Sequence, residues 1–218
     1  AADGRVLERY VTLARGARPF DTPLAEPSTP ALEARLADEG ITLAPGQPAE
    51  ICLAIDAWLA HAVAPLERGI ALLIDYGYPA RDLYAAGRGS TLRAYHRHRV
   101  HADPFVAIGR QDLTAHVDLT AVERAAARAG MREIGTTTQG PFLADLGAGE
   151  LLVGMQTAAD TTFESYATAR AALMRMLDPR ATGAFAVLAF ERGMPRNAHI
   201  PGFAAGPSAS DAAARPDR

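Results

Sequence analysis

Asp75 closes the apolar run Ile70 to Ile74 and is followed at once by Tyr76-Gly77-Tyr78. A carboxylate at the carboxyl end of a buried strand stands where α/β sheets meet their ligands. The bland alternative is a side chain that caps the next turn. Tyr76 and Tyr78 either line an aromatic substrate pocket or simply pack. Arg93, Tyr95 and His98 fall within the one basic cluster, between Arg88 and Arg110. The fork of Arg93 suits a carboxylate of substrate or protein, and His98 suits proton transfer near neutral pH. Against this stands a solvated basic loop. Asp112, Thr114, His116 and Asp118 then alternate toward a helix start. They read as a hydrogen-bonded turn that brings Asp118 near the positive end of that helix. Gln139 follows a further strand, where its amide either bonds substrate or satisfies loop backbone. Asp75, His98 and His116 are the candidate catalytic residues. Tyr76, Tyr78, Arg93, Tyr95, Asp112 and Gln139 are the candidate substrate contacts.

Two other chemistries compete. His96, His98, His101 and Asp103 have the types of a metal cluster, and His116-x-Asp118 matches part of a facial triad. That triad needs a second histidine from a distant strand, and only His199 lies downstream. Proteins that use such a triad to activate oxygen are all-β, whereas this chain is helix-rich, so no metal is expected. Asp145-Leu146-Gly147-Ala148-Gly149-Glu150 imitates the glycine loop of a nucleotide-type site. Such a loop needs a strand before it and a helix after it, and a short helix is expected before it here. Cys52 lies on the apolar side of a helical pattern and reads as a packed thiol.

The elements that must position these side chains alternate between types. Val6 to Leu13 reads as a strand, followed by a Pro-rich loop from Arg18 to Pro30. Thr29-Pro30 starts a helix over Ala31 to Glu39 that Gly40 ends. Ile41 to Leu43 reads as a short strand. Pro48 opens a helix with Ile51, Ile55, Trp58, Leu59 and Ala62 on one face, ended by Pro65 and Gly69. Ile70 to Ile74 reads as a strand buried on both faces, as in a parallel sheet. Residues 79–112 read as mostly irregular, which in so long a stretch points to function or mobility. Thr120 to Glu123 is a capping box for a helix closing at Gly130. Met131 to Thr137 is a strand, and Pro141 to Leu146 a short helix. Thr161 to Glu164 caps a helix running to Leu177, and Ala184 to Phe190 is the last strand. From Pro195 the chain turns to Ala, Pro, Gly, Ser and Asp, the composition of a disordered tail.

Composition removes several classes of function. With 218 residues, nearly half of them apolar, the chain can bury one sizeable core. A formal charge of −3 argues against nucleic-acid binding. One cysteine excludes an intrachain disulfide and fits a reducing compartment. No apolar run reaches the length of a membrane span, and the N-terminus shows no signal-peptide pattern. The chain opens on Ala1 without a methionine, as if cut from something longer. The order of elements predicts an α/β sheet with only about three good core strands, fewer than the usual five or six.

The ordered set GIALLIDYG at Gly69 to Gly77, STLRAYHRH at Ser90 to His98, DLTAHVDL at Asp112 to Leu119 and QGPFL at Gln139 to Leu143 resembles the MidA family of class I methyltransferases. The resemblance covers roughly residues 5–192. It implies a Rossmann-like α/β sheet in which Ile70 to Ile74, Met131 to Thr137 and Ala184 to Phe190 are strands five, six and seven. It implies S-adenosylmethionine as methyl donor and a nitrogen acceptor, plausibly an arginine of a partner protein such as a respiratory complex I subunit, in the bacterial cytoplasm. A homo-oligomer is left open. In the family the donor loop lies in the first half of the sheet, which is not visible ahead of Val6. Residues 1–193 are therefore expected to be the C-terminal half of the domain and 194–218 a tail, with weak donor binding by this chain alone. A non-catalytic assembly module is the main alternative.

Overall fold

The computed structural model describes residues 5–14, 20–195 and 200–203. Along the chain run β1 (Glu8–Arg9), β2 (Thr12–Leu13), β3 (Phe20–Asp21), β4 (Leu24–Ala25), α1 (Ala31–Asp38), α2 (Ile55–Val63) and β5 (Gly69–Asp75). Then come β6 (Gly77–Tyr78), α3 (Ala80–Leu83), β7 (Arg93–His96), β8 (Arg99–His101), β9 (Asp112–Thr114), β10 (Val117–Asp118) and α4 (Leu119–Arg128). The rest comprises β11 (Arg132–Thr138), α5 (Gln139–Asp145), α6 (Ala148–Thr157), α7 (Phe163–Leu177), a 3-10 turn (Thr182–Ala184) and β12 (Ala186–Arg192). The chain forms two compact units, Ala1–Ile55 with Tyr78–Ala121, and Asp56–Gly77 with Val122–Arg218.

The first unit is built from short antiparallel pieces. The expected strand Val6 to Leu13 is broken in two, β1 pairing with β4 and β2 with β3. Helix α1 begins where Thr29-Pro30 places it, the Thr29 hydroxyl accepting from the Ala31 N–H at 3.2 Å. Ile41 and Leu43 are not a strand. They pack against the core of Leu36, Ala80, Leu83 and Tyr84. Residues 79–112 are more ordered than their composition suggests: β8, β7 and β9 form a three-stranded antiparallel sheet. The β7–β8 hairpin turns through Arg97 and His98 at φ 47° and 62°. Two successive left-handed residues are what a tight hairpin needs to match strand twist, and neither glycine nor asparagine marks the place. The capping box at Thr120 is displaced. Asp118 caps α4 by accepting from the Ala121 N–H at 3.0 Å, and the Thr120 hydroxyl accepts from the Ala80 N–H instead.

The second unit holds the main sheet, order β11-β12-β5, both pairings antiparallel. β12 is central and buried along almost its whole length, with Phe190, Leu188 and Val187 among the largest fully buried side chains. β5 corrects the reading of a strand buried on both faces in a parallel sheet: it runs antiparallel to β12, and Ile70, Leu72 and Ile74 are exposed on one face. An unbroken apolar run cannot tell a strand between two layers from one whose second face is left open. Arg192 ties the unit together by donating to the carbonyls of Val63, Leu66 and Ala129. The helix expected from Pro48 begins only at Ile55, and Trp58 is exposed. The cap of α7 is Thr162 rather than Thr161, accepting from the Ser165 N–H at 3.1 Å. Helix α6 was not anticipated, because its two glycines and mixed pattern hide it. Within the expected tail, the Phe203 ring packs 5.3 Å from that of Phe142. Gly202 is buried and donates to Asp145 Oδ2 at 2.7 Å.

Candidate functional site

The candidate residues fall into two groups, one in each unit. In the second unit, Asp75, Tyr76 and Gln139 gather at one end of the sheet. Asp75 and Thr138 both face Ala186 across the ladders, so the carboxyl ends of β5 and β11 coincide. Asp75 is exposed, and its Oδ1 accepts from the Tyr76 N–H at 2.8 Å. The carboxylate thus caps the turn. The Tyr76 ring packs 5.5 Å from that of Phe185. Gln139 is buried: its N–H donates to the Phe185 carbonyl at 2.8 Å and its Nε2 to the Met176 carbonyl at 3.2 Å. That amide satisfies loop backbone.

In the first unit the β-meander presents Arg93, Tyr95 and Asp112 on one exposed face, since Tyr95 stands opposite Asp112 and Arg93 opposite Thr114. Arg93 Nη1 donates to the Ser90 and Leu92 carbonyls at 2.9 and 2.7 Å, so its fork braces its own loop. His98 is exposed at the hairpin tip. Tyr78 lies elsewhere, its ring 5.3 Å from that of His116 and with the Arg88 guanidinium 4.0 Å above it.

His116 leads into a cavity of about 320 Å³ lined by Arg35, Glu50, Ile51, Cys52, Ile55, Tyr84, Ala115, His116, Val117, Asp118 and Ala121. Glu50 organises it. Its Oε1 accepts from the Ser90 hydroxyl at 2.5 Å, and its Oε2 from the Thr91 N–H and hydroxyl at 3.0 and 2.9 Å. Thr91 Oγ1 in turn accepts from the His116 N–H at 3.1 Å. The Tyr84 hydroxyl donates to the Glu50 carbonyl at 3.1 Å. Burial, then the neighbouring charges of Asp118, Glu39 and Glu50, push the Tyr84 phenol far above its ordinary range, so it stays protonated. Burial, then Arg88 and Arg93, hold the His116 imidazole below its ordinary value, against a smaller upward pull from Glu50.

Glu50, Tyr84 and Arg35 were missed from sequence. Glu50 opens a segment that reads as an apolar helix, and Tyr84 sits in a stretch that reads as irregular. A lone acid ahead of Ile51 and Cys52 was the only available signal. Cys52 is exposed at the cavity rather than packed. Among the described residues no three His, Cys, Asp or Glu side chains converge as a metal site, and His199 lies outside them. His96 Nδ1 sits 2.6 Å from the Arg110 carbonyl. Asp145 to Glu150 runs from the end of α5 through left-handed Gly147 into α6. That is a helix–helix corner without the strand a donor loop needs. Among the described residues no helix is long and apolar enough to cross a membrane.

The β11-β12-β5 sheet and the helices between its strands make this a mixed α/β protein. It belongs to the family described as "Putative S-adenosyl-L-methionine-dependent methyltransferase", whose model matches residues 1–137. Two crystal structures from Burkholderia thailandensis are similar to it. One is an uncharacterized protein of the COG1565 superfamily, 32% identical with a TM-score of 0.76 over 87% of this chain and 50% of that one. The other is a COG1565 superfamily member bound to S-adenosyl-homocysteine, 32% identical with a TM-score of 0.80 over 92% of this chain and 50% of that one. The chain therefore spans about half the length of these relatives. No curated protein matches it.

Proposed function

We propose that the chain is the C-terminal part of a MidA-type methyltransferase that methylates nitrogen with S-adenosylmethionine, the acceptor being an arginine of a partner protein. The setting we propose is respiratory complex I assembly in the bacterial cytoplasm. The observation that carries this reading is the similar structure holding S-adenosyl-homocysteine, the product left by the donor, on a fold that matches this chain at a TM-score of 0.80. The ordered motifs from Gly69 to Leu143 support the finer family.

The residues at the strand ends fit one side of such a donor. Asp75 is exposed at the strand end, and Tyr76 follows it with its ring against Phe185. Asp145 to Glu150 does not fit, for the reason given above. When bound, the donor supplies a methyl group on a sulfonium. As the acceptor N–C bond forms, the C–S bond breaks with its electron pair staying on sulfur, and the nitrogen sheds a proton. This chain contributes positioning and proximity. Within the first unit, His116 is held toward its neutral form, the state a proton acceptor needs.

The open face of β5, with Ile70, Leu72 and Ile74 exposed, supports a further part of this reading. Apolar surface of this kind marks a place where another element packs. We place there the portion of the fold that relatives carry beyond the matched half, and assign most of the donor contacts to it.

Mass spectrometry of methylarginine in cells with and without the coding sequence tests the activity. Sites that depend on the protein, and that vanish in Asp75→Asn, are expected. Identical methylarginine in both strains contradicts it.

A further inference from the structure

We infer that the exposed face of the β-meander docks a partner protein that presents an acidic, partly apolar surface. The inference goes beyond methyl transfer and does not rest on it. Residues 88–110 carry five arginines against one aspartate, Asp103, in a chain whose formal charge is −3. The whole chain has 25 acidic and 22 basic residues, so carboxylates to pair with those arginines are plentiful. Arg5, Arg128 and Arg132 find such partners. Arg93, Arg97, Arg99 and Arg110 are exposed, and among the described residues none of the four is paired with a carboxylate.

Apolar groups stand among these charges. Tyr95 faces Val100 across the β7–β8 ladder, on the side of the sheet that Arg93 shares, and the two are 43% and 55% exposed. An arginine fork takes a carboxylate bidentately, and a tyrosine ring adds contact area at small entropic cost. Arginine and tyrosine side by side are what protein interfaces are enriched in. The hairpin tip adds an independent sign. Arg97 and His98 hold left-handed backbone at φ 47° and 62°, a geometry that Asn-Gly adopts at lower cost. The chemistry of their side chains, not the turn, favours these two types. Asp112 decides the kind of partner. It stands opposite Tyr95 on the same face. It repels a uniformly anionic lipid or nucleic-acid surface, whereas a protein can set a base against it.

Fluorescence anisotropy of a labelled peptide rich in glutamate and leucine, titrated with the 218-residue chain, tests this. Saturable binding that weakens as salt rises is expected, with amide NMR shifts confined to the span from Arg93 to Thr114. Arg97→Glu should weaken binding by about tenfold or more. Arg97→Asn combined with His98→Gly removes the backbone cost, so it should raise the melting temperature and still weaken binding. That double variant separates docking from folding. No saturable binding, binding that neither variant changes, or shifts outside the meander overturn the inference. So does tighter binding to phosphatidylglycerol vesicles or single-stranded DNA than to the peptide, or a dimer in sedimentation that Arg97→Glu dissociates. Methylarginine in cells reads methyl transfer alone, so the two readings fail separately.

Discussion

His116 has its pKa lowered by burial and by Arg88 and Arg93. The unfolded chain therefore binds a proton more readily than the folded one just below the ordinary histidine value. Stability is then fully present above about pH 6.5 and falls as the pH drops from there toward the folded value. His116→Gln should flatten that slope in urea melts collected between pH 7 and 5; an unchanged slope contradicts the assignment. Glu50 takes three donors from Ser90 and Thr91. Glu50→Ala should cost about 2–3 kcal/mol, the scale of losing hydrogen bonds to a charged group, read by chemical denaturation. Sequence marked His116 because histidine types stand out. Glu50 stayed hidden because its partners lie some 40 residues away, a separation no local pattern reports.

At the scale of elements, Gly183 is a fixed point. A Cβ there would come within 2.6 Å of the Leu177 and Asp178 backbone, which flexible side chains cannot relieve. Gly183→Ala should therefore lower the melting temperature, and a neutral result would show that the α7–β12 connection yields. Phe190 is 1% exposed in the central strand, so Phe190→Ala should cost about 3–5 kcal/mol. The strands β5 and β12 were legible from the apolar runs Ile70 to Ile74 and Ala186 to Phe190, and β11 from its β-branched Ile134 and Thr136 to Thr138. The starts of α1, α4, α5 and α7 were legible to within two residues, whereas α2 begins seven residues after Pro48. Thr120 and Asp118 are both good caps, and only the bond from Ala80 to Thr120 decides between them. The β-meander was not legible: Arg97 and His98 adopt turn geometry that their types rarely take.

Over the whole chain, the three runs expected as strands five, six and seven all form and join in one sheet, in the order β11-β12-β5. The family match and the 50% coverage of the Burkholderia structures then bound what this chain does. In the proposed reading it supplies strand ends, and a further layer packs on the exposed apolar face of β5. Calorimetric titration of the chain with S-adenosyl-homocysteine addresses this division of labour. Little or no saturable heat is expected up to millimolar ligand. A micromolar dissociation constant would mean that residues described here build the donor site unaided, and would contradict it.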